Sequence, residues 1–373
     1  MAGVPLKLRV VLTVALLMSV SFFAFMSVGS HVASAASPLS YVTVTLTNSQ
    51  ITATPKNFSQ LIKVDWSTYS SELNTNVSNV RFYNSTTFSS STELTGWIET
   101  NNTTAATSSN VWVNLSGTIV PASGSVDIYM AFLAKTSSWS SHWGLAPQLD
   151  KTYGKHDNGA SVFEFYDNFA GTALNSRWTV SGITYTVNNG FTATATGPEG
   201  FIISKALALN PATYVLDFYG TNFQTNAEWT VVGMVDGGES GGTTGSGSGS
   251  MIVAGYPTVS QTVGWQRNGS GIANTSVMQS VQAAAVWTVE PTSSSSTNFY
   301  INYGGLQTVS SDADTYPLYE GLVSAGGSDA AYTFTVPVTV TWYRVRAYPP
   351  NGSMPIQVDE LSSTVNITEG LII

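Results

Sequence analysis

Cleavage of a glycosidic bond calls for two carboxyl groups, about 5–5.5 Å apart for retention or about 6.5–9.5 Å apart for inversion. A β-strand supplies such a pair from acids at i and i+2 or i+4, because alternate side chains share a face. The chain has 22 Asp and Glu among 373 residues, and two spacings come near this pattern. Glu164-x-x-Asp167 has an i, i+3 spacing, which sends the two carboxyls to opposite faces of a strand. Asp312-x-Asp314 has the right period but lies in a Ser/Asp/Thr stretch that reads as a loop. Both pairs are expected to be solvated turn carboxylates, and no catalytic residue is assigned.

Other chemistries are also poorly supplied. The histidines are His31, His142 and His156, without the i, i+4 helical frame of zinc hydrolases. There is no cysteine, which removes thiol catalysis, Cys-ligated zinc and disulfides. The glycine runs near Ser240 and Ser248 read as loop filler and not as a nucleophile elbow, and no phosphate-cradling Gly-x-x-x-x-Gly-Lys-Ser/Thr loop occurs. Asp157, Asn158 and Asp167 are candidate oxygen ligands for a metal, with Asp312 and Asp314 as a further pair. Aromatic rings that cover sugar faces beside amides and carboxylates are the other available device. Trp229, Tyr256, Trp265, Trp287 and Tyr303 are placed for it, and Trp265-Gln266-Arg267-Asn268 is the best local mixture of ring and polar groups. Trp265, Arg267, Trp229 and Tyr256 are therefore the candidate carbohydrate-binding residues, against the common use of such rings as core.

The elements that must position these groups are strands. Only 9% of residues are charged, with 13 Lys and Arg and a formal charge of -9, whereas 43% are hydrophobic and 12% aromatic. Nucleic-acid binding, helical bundles and general disorder are excluded by that balance. Period-2 alternation recurs from Tyr41-Val42-Thr43-Val44-Thr45-Leu46 to Val338–Ala347, with Asn, Gly, Ser and Thr turns between. The expected fold is all-β, two jelly-roll-like sandwiches in tandem. Lys7 and Arg9 precede an apolar run, and Ala33-Ser34-Ala35-Ala36 follows it, so residues 1–36 are expected to be a signal peptide or N-terminal anchor. Residues 37–150 and 151–349 are the two sandwiches, and 350–373 a tail. The low charge suits an acidic exterior, where carboxylates are partly protonated. Ten Asn-x-Ser/Thr sequons stand at Asn57, Asn76, Asn84, Asn101, Asn102, Asn114, Asn268, Asn274, Asn351 and Asn366. In an exported chain they are candidate glycosylation sites.

Phe58–Phe132 resembles the domain-of-unknown-function family 2341, a β-rich module of secreted microbial and archaeal proteins. The resemblance lies in Leu61-Ile62-Lys63-Val64, Val80-Arg81-Phe82-Tyr83, Glu93-Leu94-x-x-Trp97-Ile98-Glu99, Val111-Trp112-Val113 and Ile128-Tyr129-Met130. Tyr83-Asn84 stands where that family often has an acidic residue. From Val162 onward the chain is similar to concanavalin-like or laminin-G-like lectin/glucanase sandwiches. Phe165-Tyr166-Asp167-Asn168-Phe169, Leu174-Asn175-x-x-Trp178 and Asn189-Gly190 resemble their opening, and Trp342-Tyr343-Arg344-Val345-Arg346 their closing strand. The combination resembles exported proteins of thermoacidophilic archaea. Export, two sandwich modules, low charge and no catalytic constellation together point to an extracellular or cell-surface, non-catalytic protein that binds a glycan or an envelope protein. The likeness to lectin-like sandwiches, which often carry a loop calcium site, implies calcium on Asp157, Asn158 and Asp167 as its cofactor. Two alternatives stand beside it: a glycoside hydrolase whose carboxylates converge from separate strands, and a structural surface-layer or filament component.

Overall fold

The computed structural model describes residues 38–193, 200–221, 229–236, 249–254, 262–266, 272–277, 283–310, 316–325, 338–358 and 365–366. Among them no α-helix occurs, and no helix is long and apolar enough to cross a membrane. The expected signal or anchor segment lies outside the described residues.

Seven strands come first: β1 (Ser40–Asn48), β2 (Ser59–Val64), β3 (Val80–Tyr83), β4 (Glu93–Ile98), β5 (Ser109–Asn114), β6 (Gly124–Phe132) and β7 (Trp143–Leu145). The hydrogen-bonded order is β2-β5-β4-β3-β6-β1, with β7 parallel to β4. Strand β4 turns the corner between two layers. Its Leu94 pairs with Phe82 of β3, whereas Trp97 pairs with Trp112 of β5. Between the layers lies the core that alternation foretells, since Val42, Val44 and Leu46 of β1 are buried while Thr43, Thr45 and Thr47 remain half exposed. Gly96 is required at the corner. A Cβ there would lie 2.7 Å from the buried Trp143 ring.

The second sandwich opens with β8 (Phe165–Asp167), β9 (Thr179–Ser181), β10 (Tyr185–Val187), β11 (Phe191–Ala193), β12 (Gly200–Leu209), β13 (Tyr214–Thr221), β14 (Trp229–Asp236) and β15 (Gly249–Ala254). It continues with β16 (Thr262–Gln266), β17 (Ile272–Val277), β18 (Ala285–Ser293), β19 (Ser296–Ile301), β20 (Gly304–Ser310), β21 (Leu318–Ala325) and β22 (Thr339–Ala347). One sheet runs β10-β11-β22-β13-β18-β19-β20 with β8 on β22, and the other β17-β16-β15-β14-β21-β12-β9. Leu216, Phe218, Trp287, Val289 and Val345 from the first meet Ile202, Val232, Met234 and Leu322 from the second in one apolar core. The Tyr343 hydroxyl crosses it, donating to Gly233 O and accepting from Gly321 N.

Residues 350–373 are expected as a tail, and the described parts of this segment hold two strands instead. β23 (Ile356–Val358) and β24 (Val365–Asn366) return to the first sheet and pair with β1, at Thr45–Thr47 and at Ser40–Tyr41. Pairing satisfies edge groups of β1 that would otherwise face water. Residues from 37 onward form one compact unit.

Candidate functional site: the seam between the two sandwiches

Three adjacent strands of the eight-stranded sheet turn one face inward and the other toward the first sandwich. On β22 the inward residues are Tyr343 and Val345, and the alternate residues Trp342, Arg344 and Arg346 face the seam. Register places Asp217 of β13 beside Arg344 and beside Thr288 of β18. Arg344 is wholly buried and reaches Asp217 Oδ2 at 3.0 Å and, across the seam, Glu99 Oε2 at 2.9 Å. Its guanidinium lies over the rings of Trp112, Phe163, Trp342 and Trp97 at 4.4, 4.5, 4.7 and 5.4 Å. Desolvated cation–π contacts are worth about 2 kcal/mol or more.

Further bonds complete the cluster. Asp217 accepts from Thr288 Oγ1 at 2.6 Å and Arg346 Nε at 2.8 Å. Glu99 accepts from Trp112 Nε1 at 2.8 Å and from the Tyr303 hydroxyl, which itself accepts from Arg344. Tyr303 is aimed by the β19–β20 hairpin, whose two turn residues, Asn302 and Tyr303, both have positive φ, 50° and 63°. That geometry matches the right-handed twist of the strands but is costly for a bulky residue. The seam contacts oppose the cost. Burial works to raise the Asp217 carboxyl, yet Arg346 and Arg344 hold it below the ordinary value. Burial likewise disfavours the Arg344 cation, and Tyr303, Asp217 and Glu99 more than reverse that.

Farther along the same face the seam opens. Glu290 accepts from the Tyr300 hydroxyl at 2.9 Å and Asn298 Nδ2 at 3.3 Å, and burial pushes its carboxyl up. Beyond it is a groove of about 560 Å³ between the sandwiches. Thr52 and Pro55 of the first sandwich form one wall, Thr213 and Thr292 of the second the other, and Tyr348 and Asn351 of the connecting segment the end. Ring surfaces, hydroxyls and an amide without formal charge are the chemistry of a neutral polyhydroxylated ligand.

Asp157 joins the seam core through Trp97, and its partners are nitrogen and hydroxyl donors. Asp157 accepts from Trp97 Nε1 at 2.8 Å, Gly159 N at 3.0 Å, the Tyr166 hydroxyl at 2.6 Å and Asn168 Nδ2 at 2.7 Å. Burial raises its pKa, and those four bonds pull the other way. Asp167 is taken by Phe169 N and Trp178 Nε1, each at 2.8 Å. Asn158 keeps one buried oxygen without a partner, Oδ1. Carboxylates saturated by donors do not fit calcium, which needs six to eight free oxygen ligands. Among the described residues no group of three or more His, Asp and Glu could hold a metal.

Other candidates are dispersed. His156 Nδ1 lies 2.9 Å from Asp150 Oδ2, and His142 Nδ1 lies 3.5 Å from Glu93 Oε2. Glu164 is exposed, while Asp167 is buried against Trp178. Trp229 and Trp265 belong to β14 and β16. Trp265 is abreast of Ser250 and hence of Met234, five residues along β14 from Trp229. Tyr256, Arg267, Asp312 and Asp314 lie outside the described residues. Trp287 is core, and Tyr303 is a seam residue. The groove residues carry no local sequence signal beyond the sequon at Asn351, because they converge from four separate segments.

No family model matches the chain, so the likeness of residues 58–132 to family 2341 has no such match behind it. Uncharacterized protein 562 of Sulfolobus islandicus rod-shaped virus 1 is 26% identical over 354 residues, covering 88% of this chain. The chain spans 60% of that relative's length. Among solved structures, a pseudo β-1,3-glucanase of Mycobacterium tuberculosis shares 16% identity, with 50% of this chain and 98% of that one covered, at a TM-score of 0.38. The carbohydrate recognition domain of Emp47p shares 8%, with 48% and 93% covered, at 0.37. Likeness at this level is one of outline and assigns no ligand.

Proposed function

We propose that the chain is an exported, non-catalytic carbohydrate-binding protein, and that the seam groove is its glycan site. The groove is the observation that carries this reading. It is open, of a size to hold a short oligosaccharide, and lined by uncharged residues, Tyr348 with prolines, threonines and Asn351 among them. The basic, apolar and small-residue order of residues 1–36 supports export. The carboxylates that converge from separate strands, Asp217 and Glu290, support binding over hydrolysis. Asp217 is held by two arginines, and Glu290 by Tyr300 and Asn298.

The test is binding of residues 37–373 to a panel of polysaccharides and envelope glycans, at acidic and neutral pH, with calcium and with chelator. Reducing-sugar release is followed in parallel. Binding without release that survives the chelator is the expected result. Sugar release would replace this reading with the hydrolase, and self-assembly without binding would replace it with a structural component.

A further inference from the structure

We propose that Asn351 is an N-glycosylation site and that its glycan lies across the mouth of the seam groove, limiting access to other sugars. The second half rests on the glycan-binding reading above; the first does not. Seven of the ten sequons have their asparagine side chains among the described residues, and these differ sharply in accessibility. At Asn57-Phe58-Ser59 and Asn76-Val77-Ser78 the asparagine is exposed but the other two residues are buried. Ser59 Oγ donates to Val162 O at 2.7 Å, and Ser78 Oγ to Ser137 O at 3.2 Å. Asn114 Nδ2 is occupied by Val162 O at 3.0 Å, beneath the second sandwich. At Asn84, Asn101 and Asn102 at least one residue of each sequon is half-buried.

Asn351-Gly352-Ser353 is the described sequon in which all three residues are exposed. The backbone explains why. Asn351 (φ 48°, ψ 35°) and Gly352 (φ 75°) are both left-handed, and Ser353 N donates to Pro350 O at 2.9 Å. That is a tight reverse turn for which Asn-Gly is the favoured central pair, and it places the asparagine at the tip. The Asn351 amide makes one long, exposed bond, 3.3 Å to Gln50 Oε1. Little is lost when a new substituent displaces such a bond. The same residue lines the groove together with Thr52, Thr213 and Tyr348, so a sugar on its side chain starts beside that groove.

The reaction is a substitution at carbon. Asn351 Nδ2 forms a bond to the anomeric carbon of a lipid-phosphate-linked oligosaccharide, and the bond from that carbon to the phosphate oxygen breaks. The electron pair leaves with the lipid phosphate, and Nδ2 gives one proton to a base of the transferase. Nothing is oxidised or reduced.

The test uses the full chain secreted from an N-glycosylating archaeal host, as wild type and as Ser353→Ala, which keeps Asn351 but removes the acceptor signal. Peptide mass analysis is expected to show an oligosaccharide on Asn351 in wild type and none in the variant. Titration with neutral oligosaccharides of glucose and mannose is expected to show the variant binding about tenfold more tightly. An unmodified Asn351 in wild type overturns the modification. Equal affinity of the two proteins overturns the gating. If Asn351 carries sugar and neither form binds, the glycan-binding reading and the gating fall together, and the modification stands.

Discussion

Arg344 joins the sandwiches through charge, hydrogen bonds and ring contacts at once, with Glu99 on one side and Asp217 on the other. Replacing it by Met leaves the buried Glu99 without its cation and Asp217 with Arg346 alone. The expected loss is about 3–5 kcal/mol of unfolding free energy in a denaturant titration, and a loss below about 1 kcal/mol would show that the seam is less buried than described. Glu320 is a second isolated group. It is fully buried on β21, neither oxygen makes a hydrogen bond of good geometry, and burial pushes its carboxyl up to about 8, with its own N–H and that of Leu207 opposing only in part. The folded state thus keeps a proton that the unfolded chain releases near 4.5, so stability falls as pH rises from there toward about 8. The slope is at most about 1.4 kcal/mol per pH unit. Glu320→Gln is expected to flatten that limb of the stability curve, and an unchanged limb would assign it to another group.

Strand β22 shows how much was legible at the level of elements. Its alternation reads as a strand from sequence, and so do β1, β5, β6 and β13, because one face of each meets an apolar core. What alternation cannot show is that the second face, Trp342-x-Arg344-x-Arg346, is buried as well. Arginine on a strand ordinarily marks solvent, and here its cover comes from Glu99, Trp97 and Trp112, more than 200 residues away in sequence. The same limit applies to the groove. Trp265-Gln266-Arg267 sets a ring beside polar residues in one segment, whereas the groove is assembled from short pieces with no local pattern. Ile356-Gln357-Val358 is too short to read as a strand without its partner. Removing residues 356–373 uncovers the edge of β1. Concentration-dependent association, seen by light scattering during size-exclusion chromatography, is the expected consequence. Gly321→Ala is expected to destabilise β21, since a Cβ would sit 2.4 Å from a Val235 methyl carbon.

The two sandwiches form one cooperative body, because the aromatic cluster of Trp97, Trp112, Phe163, Tyr166 and Trp342 draws on both. Calorimetry is expected to show one transition for wild type and two for Arg344→Met. Titrating groups give the body a preferred pH. Glu320 favours acid, while protonation of Asp217, whose carboxyl is held below 3.8, weakens the seam as pH falls beneath that value. A stability maximum between about pH 4 and 5 follows, in keeping with an acidic exterior. A maximum at neutral pH with collapse below about pH 4 would contradict it. The groove is the point on which function turns. The most direct measurement is calorimetric titration of the best-bound oligosaccharide into wild type and Tyr348→Ala, both prepared without glycosylation and both shown to unfold in one transition. The account predicts that the variant binds at least about tenfold more weakly. Equal affinity would place the sugar elsewhere and remove the groove as its site.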